Sequence, residues 1–291
     1  MSDLPDSVRT WRDGGNFVEA DGVPVFHRVA GRGPWLVCFH GFPTSSWDWH
    51  RLLPLLEKHF RVLVFDFPGH GLSGKPAHRD YSLKRQFDAA EALWRHLGIE
   101  EFSLLSHDMG DTVACELLRR LELGASRCRL KSLTLLNGGL YPDLHRPLLT
   151  QRLLRTPVLG PLVARCSGWP VFRTQYARLY ARPAEFTEEH YREQWALLLH
   201  NEGRRSLASV AGYMPERLRM GEQWLGPLHR CPVPLRAIWG RLDPVAPPTM
   251  TARLAAKHPA LELVALDDAG HYPQLERPAE VAAALLRHLA R

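Results

Sequence analysis

Leu104-Leu105-Ser106-His107-Asp108-Met109-Gly110-Asp111 is the stretch on which the reading of this chain turns. The apolar run Phe102–Leu105 before Asp108 reads as a buried strand. After it, Val113, Ala114, Leu117, Leu118 and Leu121 recur at steps of three and four, the period of a helix over Gly110–Leu121 with one buried stripe. Asp108 therefore falls on the bend between strand and helix, with Ser106 and Gly110 two residues to either side. A small-x-nucleophile-x-small turn of this kind demands small neighbours because the backbone doubles back sharply, and it lifts the central side chain clear of the sheet. It also turns the N–H of Met109 and the positive end of the helix toward any anion that forms there. Taken alone, Asp108 reads as a helix N-cap just as readily, so the rest of the chain has to decide between cap and nucleophile.

Working outward, Asn16–Ala20 and Val23–His27 flank the turn signal Asp21-Gly22, the pattern of an opening antiparallel hairpin. Short apolar runs then follow at Trp35–Phe39, Val62–Phe67, Leu133–Leu136, Leu235–Trp239 and Leu261–Leu266. Between them lie segments of helical period at Trp47–Glu57, Leu83–Leu97, Pro247–Lys257 and Pro278–Leu289. Strands apolar on both faces, alternating with helices, imply an α/β fold around a mostly parallel sheet. From Tyr141 to Leu228 the alternation stops, and the chain is rich in arginine, aromatics and helical stretches with no strand signal. So long an interruption is no loop in a compact domain. The expected division is a catalytic core of residues 1–140 and 229–291 carrying a helical lid of residues 141–228.

Three further motifs stand at strand ends. His40-Gly41-Phe42-Pro43 follows Trp35–Phe39, Trp239-Gly240-Arg241-Leu242-Asp243-Pro244 follows the next-to-last strand, and Gly270-His271-Tyr272-Pro273 follows the last. The chain order Asp108, Asp243, His271 is the nucleophile, acid, histidine order of the α/β-hydrolase fold. In that fold the loop after the His-Gly strand supplies the second oxyanion N–H, here that of Phe42, beside the N–H of Met109. Pro43 restricts Phe42 to an extended backbone, which helps fix the direction of its N–H. Each motif alone is a modest signal; in this order, each at a strand end, they outweigh the N-cap reading of Asp108.

The motifs HGFPTSSWDW (His40–Trp49), DFPGHGLS (Asp66–Ser73), LLSHDMGD (Leu104–Asp111), LNGG (Leu136–Gly139), HRPLL (His145–Leu149), LDPV (Leu242–Val245) and HYPQLE (His271–Glu276) span nearly the whole chain. By them the chain resembles the α/β-hydrolase branch of epoxide hydrolases and haloalkane dehalogenases, and within it the mesoderm-specific transcript proteins. The resemblance implies a two-step covalent hydrolysis by an aspartate–histidine–acid triad, without cofactor or metal.

A carboxylate nucleophile attacks an sp³ carbon bearing a leaving group and forms an alkyl ester. His271 would then activate water against that ester, with Asp243 orienting and charge-stabilising the imidazole. Dehalogenases of this branch usually place tryptophan after the nucleophile and often asparagine after His-Gly to hold halide, whereas this chain has Met109 and Phe42, whose side chains donate no hydrogen bond. Fluoroacetate dehalogenases place arginines just after the nucleophile, where this chain has Met109 and Asp111. Epoxide opening needs an acid for the alkoxide, which lid tyrosines supply in epoxide hydrolases. Tyr213 lies where those enzymes have one of the pair. For the other, Tyr176 fits the spacing of epoxide hydrolases and Tyr180 the Tyr-x-Arg-Pro of the mesoderm-specific transcript proteins. Tyr213 with Tyr176 is the preferred pair, with Tyr180 in reserve and Tyr191 read as packing. The rival readings are dehalogenation with a lid tryptophan (Trp169, Trp195 or Trp224) as halide donor, and a binding protein that kept the fold.

Asp66 and His107 read as structural, Trp47 and Trp49 as packing residues that could also line the pocket, and Asn137 as unable to replace the triad acid because an amide carries no charge. The pocket is expected to be apolar, its partners a small apolar epoxide and water. A net charge of +6 with no basic run reads as a solvated surface rather than nucleic-acid binding. Five cysteines with no metal or disulfide spacing read as reduced core residues of a cytoplasmic protein. No apolar leader or membrane span is evident in the sequence.

Overall fold

The computed structural model describes residues 4–77, 79–156 and 158–287. Eight strands form one sheet: β1 (Asn16–Ala20), β2 (Val23–Ala30), β3 (Trp35–Phe39), β4 (Arg61–Phe65), β5 (Glu101–His107), β6 (Arg129–Leu136), β7 (Leu235–Gly240) and β8 (Glu262–Leu266). Their order is β1-β2-β4-β3-β5-β6-β7-β8. β1 pairs antiparallel with β2 and β2 with β4, and every later pairing is parallel. The interior strands β3 to β7 are buried along most of their length, whereas β1 and β8 at the two edges are exposed at alternate or successive positions. That is the pattern expected of a parallel sheet covered by helices on both faces.

The helices are α1 (Asp6–Asp13), α2 (Leu53–Leu56), α3 (Leu83–His96), α4 (Met109–Glu122), α5 (Leu149–Leu154), α6 (Leu159–Cys166), α7 (Trp169–Ala177), α8 (Glu188–Leu199), α9 (Arg204–Val210), α10 (Tyr213–His229), α11 (Thr249–Lys257), α12 (Pro273–Glu276) and α13 (Pro278–Leu286). Six of them, α5 to α10, follow one another between β6 and β7 with no strand among the described residues. None of the described helices is long and apolar enough to cross a membrane.

Several elements differ from the sequence reading. Trp47–Glu57 is not one helix but a 3₁₀ turn at Ser46–Trp49 and the separate α2. Pro54 is the cause: it has no N–H to give the carbonyl of His50, and its ring would clash with that carbonyl, so it is accommodated in the first turn of a new helix. α1 went unread, although Pro5 before it, Asp6 in its first turn and Gly14 after it are helix-end signals. Its Val8 and Trp11 are buried, and the Trp11 indole packs edge-on against Trp47 at 5.3 Å. Pro278–Leu289 forms a helix as far as Leu286, and Leu289 lies outside the described residues. Finally, α4 is buried from Met109 to Leu118 on every side, not along one stripe. α10 packs across its outer face and buries Glu116, whose carboxylate is met by Arg119, Arg120 and the Trp224 indole.

Candidate active site

β5 ends at His107 and α4 begins at Met109, leaving Asp108 alone at the bend with φ 50° and ψ −111°. A non-glycine residue held at positive φ costs roughly 1–3 kcal/mol and persists where surrounding structure over-determines it. The surroundings here do so. A Cβ on Gly110 would lie 2.6 Å from the Phe39 carbonyl oxygen, and one on Gly41 would lie 2.7 Å from the Asp108 Cβ. The loop after β3 thus presses directly on the elbow, and the Phe42 N–H donates to Asp108 Oδ2 at 2.9 Å. The Phe42–Pro43 peptide is cis.

Asp243 and His271 come to the same place from the ends of β7 and β8. His271 Nε2 lies 3.9 Å from Asp108 Oδ1, and its Nδ1 donates to Asp243 Oδ2 at 2.8 Å. The other Asp243 oxygen accepts from the N–H groups of Val245 and Ala246 at 2.7 and 3.0 Å. Burial alone would lower the basicity of His271, but the charge and hydrogen bond of Asp243, with Asp108 on its other side, carry it up to about 9. The imidazole is therefore protonated at neutral pH.

Asn137 was set aside in the sequence reading because it lacks a charge. It stands after β6 at φ 43°, its amide donating to Asp243 Oδ2 at 2.8 Å while its carbonyl accepts from the Gly240 N–H at 2.8 Å. Asn137 thus positions the Asp243 carboxylate. His107 has the structural role expected of it, bonding the carbonyl of His271 through Nε2 at 2.8 Å. Asp66 likewise ties its turn, accepting from the N–H groups of Ser46 and Leu72, both at 2.6 Å. Trp47 packs as expected, its indole donating to Glu193 at 3.2 Å. Asp111 is buried against Ser106 Oγ at 2.5 Å, and burial pushes its carboxyl well up, so the first turn of α4 carries no cation for an anionic substrate.

Of the tyrosines near the site, Tyr213, Tyr176 and Tyr272 have buried hydroxyls without a hydrogen-bond partner, whereas the Tyr180 hydroxyl has one. Tyr213 opens α10, its ring 5.5 Å from that of Phe42, and its buried hydroxyl has no hydrogen-bond partner. Burial, and next the charge of Asp108, push its phenol well up, so it stays protonated. Tyr176 lines the cleft that reaches Phe42, but its ring packs 5.5 Å from Tyr180 and 5.4 Å from Tyr272. The Tyr180 hydroxyl is taken up by His190 Nε2 at 2.8 Å. Tyr272 was missed in the sequence, though it directly follows His271. It is fully buried, its ring 5.1 Å from that of His271 and 4.9 Å from that of His107, and the charges of Asp48 and Asp108 both act on it. Asp48 itself is pushed up to about 7 by burial, against hydrogen bonds from Thr44 and Gln194 that hold it down.

Of the tryptophans weighed as halide donors, Trp224 is excluded, because its indole N–H is committed to Glu116 at 2.8 Å. Trp195 lines the cleft. The cleft, with a cavity volume of about 80 Å³, is bounded mainly by apolar side chains of α5 to α9 with Phe42 and Pro43 of the sheet side. The five cysteines are free, and only Cys38, Cys115 and Cys231 are buried, in place of the core position expected for all; Cys166 is exposed on α6.

A carboxylate at a strand-to-helix elbow that accepts from a backbone N–H, and a histidine between two carboxylates, on a mostly parallel eight-stranded sheet, point to a hydrolase scaffold. This chain belongs to the α/β-hydrolase fold family, whose model matches residues 34–278. It is 37% identical to the mouse (Mus musculus) mesoderm-specific transcript protein over 94% of this chain and 85% of that one. The solved structure of epoxide hydrolase CorEH superposes with a TM-score of 0.80 at 20% identity, covering 95% of this chain and 98% of that one. Haloalkane dehalogenase DbeA from Bradyrhizobium elkani superposes with a TM-score of 0.81 at 22% identity, covering 95% and 97%.

Proposed function

We propose that this protein hydrolyses small apolar epoxides to vicinal diols through an alkyl ester on Asp108, with residues 141–228 acting as a lid on a core of residues 1–140 and 229–291. The observation that carries this reading is the buried, unpartnered hydroxyl of Tyr213 under the charge of Asp108. A buried polar group without a partner calls for an explanation, and a donor waiting for the oxygen of a bound substrate supplies one. A halide would instead want N–H donors, which neither Met109 nor Phe42 offers in its side chain.

In the first step an Asp108 oxygen forms a bond to an epoxide carbon, the C–O bond of the ring breaks, and the alkoxide takes the Tyr213 proton. The protonated His271 restores that proton through solvent and becomes neutral. Esterification removes one of the two charges that held His271 protonated, so the imidazole is set free as a base when it is needed. His271 then takes a proton from water as its oxygen attacks the Asp108 carboxyl carbon. The oxyanion lies against the N–H groups of Phe42 and Met109, each worth on the order of 3 kcal/mol when well aimed. Collapse expels the diol oxygen, which takes its proton from His271, and leaves one water oxygen on Asp108, whose carboxyl proton passes to the neutral His271 and restores the starting carboxylate and imidazolium. For the second donor, Tyr176 at the cleft remains the choice over Tyr180, whose hydroxyl His190 occupies. Five unpaired cysteines support a reducing, cytoplasmic setting.

The test is single-turnover incubation of His271→Gln with a panel of aryl and alkyl epoxides, followed by intact-protein and peptide mass spectrometry. The expected result is an epoxide-sized adduct on Asp108, absent from the double variant with Asp108→Asn. Failure to form any adduct, with the same variant trapping a haloalkane instead, would move the reading to dehalogenation, for which Trp195 at the cleft and Trp169 are the remaining donors. No adduct with either class would leave a binding role. Tyr213→Phe tests the acid separately: turnover of epoxides is expected to fall about 10²-fold or more at the opening step, while hydrolysis of a preformed Asp108 ester keeps its rate.

A further inference from the structure

We propose that the outer face of α5, α6 and the start of α7 is a docking surface for an anionic lipid bilayer, from which apolar substrate enters the cleft. Three features of this stretch converge. Ten large apolar side chains are exposed among the described residues, and five of them, Leu149, Val158, Leu159, Leu162 and Val171, fall between positions 149 and 171. α6 has its polarity reversed for a surface helix. Its small residues Gly160 and Ala164 face inward, while Leu159, Leu162 and Cys166, spaced three and four apart, form the outward stripe. Leu162 is 58% exposed and Val158 just before the helix 84%, where an ordinary soluble helix would present charge.

Charge complementarity identifies the occupant. From Leu144 to Ala184 the chain has seven arginines and no aspartate or glutamate. Arg152, Arg155 and Arg165 are exposed beside the apolar stripe, and among the described residues none of them pairs with a carboxylate. An apolar stripe flanked by unpaired cations suits the boundary between acyl chains and anionic headgroups, where leucines insert and guanidinium groups remain at phosphate level. A protein partner or a second copy would be expected to answer so many arginines with carboxylates, and this surface has none of its own to contribute to a twofold contact. The cleft opens on the same face: Val171 is at once 45% exposed and part of its lining, and Leu154 and Ala164 continue the lining inward toward Phe42. An apolar substrate that partitions into lipid would thus reach the triad without crossing water. Surface docking of this kind requires no membrane-spanning helix.

The experiment is co-flotation of the full chain with vesicles of phosphatidylcholine alone and with about one-quarter phosphatidylserine. The chain is expected to float with the anionic vesicles at low salt, to be released at high salt, and to stay behind with the neutral ones. Arg152→Gln/Arg155→Gln/Arg165→Gln should lower partitioning on the order of 100-fold. Leu159→Ser/Leu162→Ser should lower it at least about 10-fold. Leu263→Ser, an equally exposed leucine on the edge strand β8, should leave it unchanged. All these sites are exposed, so the variants fold, which circular dichroism checks. Absence of flotation, or flotation that these substitutions leave intact, overturns the proposal. A dimer in solution that Leu159→Ser/Leu162→Ser dissociates overturns it as well and assigns the face to a second copy.

Discussion

Asp108→Asn is expected to lower turnover by at least about 10⁴-fold while leaving the protein folded, the scale seen when a nucleophile that works as a unit with its base is removed. An amide has no lone pair of carboxylate strength to drive into the substrate carbon, so the ester never forms. Its shape is nonetheless that of the carboxylate, and its oxygen can still accept from the Phe42 N–H that now bonds Asp108 at 2.9 Å. Asparagine is also among the residues that tolerate positive φ best, which matters at φ 50°. Steady-state kinetics on whichever epoxide forms the adduct, together with a thermal melt, separates chemistry from folding. Retention of more than a tenth of the activity would show that Asp108 is the capping residue its position allows and that some other group attacks.

Asp243→Asn is expected to cost about 10³–10⁴-fold in turnover. The loss has a geometric origin. Asp243 accepts from His271 Nδ1, from the Asn137 amide and from the N–H groups of Val245 and Ala246. An amide in the same place must turn its NH₂ toward one of these donors, and if it faces His271 the imidazole is held in the tautomer that cannot accept a proton from water at Nε2. The substitution should also change how stability depends on pH. His271 is held at about 9 in the folded chain against 6.5 for an unperturbed histidine, so its contribution is fully present below about pH 6.5 and is lost as the pH rises through about 9. That contribution is about 3 kcal/mol. Denaturant unfolding of the wild-type chain should therefore show declining stability from pH 6.5 to 9 in the part due to this group, and in Asp243→Asn the same interval should be flatter. An identical slope in both proteins would show that Asp243 is not what holds the proton on His271.

Both substitutions target residues that local pattern made visible. A run of apolar residues ending at a small-x-Asp-x-small turn is a statement about neighbours in the chain, and so is a Gly-x-x-Asp or a Gly-His after a buried strand. The alternation of strands and helices, the hairpin at Asp21-Gly22 and the long strandless interval after Tyr141 are of the same kind, because period and turn chemistry act over a few residues. Where the reading failed, a local signal was present but was outweighed or overlooked. Pro54 splits the helix expected over Trp47–Glu57, and the end signals of α1 surround only two buried apolar residues, Val8 and Trp11.

The sequence by itself determined the fold class, the strand-to-helix bend at Asp108, and the placing of Asp243 and His271 at later strand ends, since each is written in its neighbours along the chain. Only the tertiary structure decided which side chains meet across it. It brought the Asn137 amide from the end of β6 to Asp243, and packed the Tyr213 ring against Phe42 while His190 took the hydroxyl of Tyr180. It also turned the leucines of α6 outward, because Gly160 and Ala164 are the residues small enough for that helix to pack closely on its neighbours. Contacts of this kind depend on how whole helices and strands pack, and side-chain spacing along a single element carries no information about them.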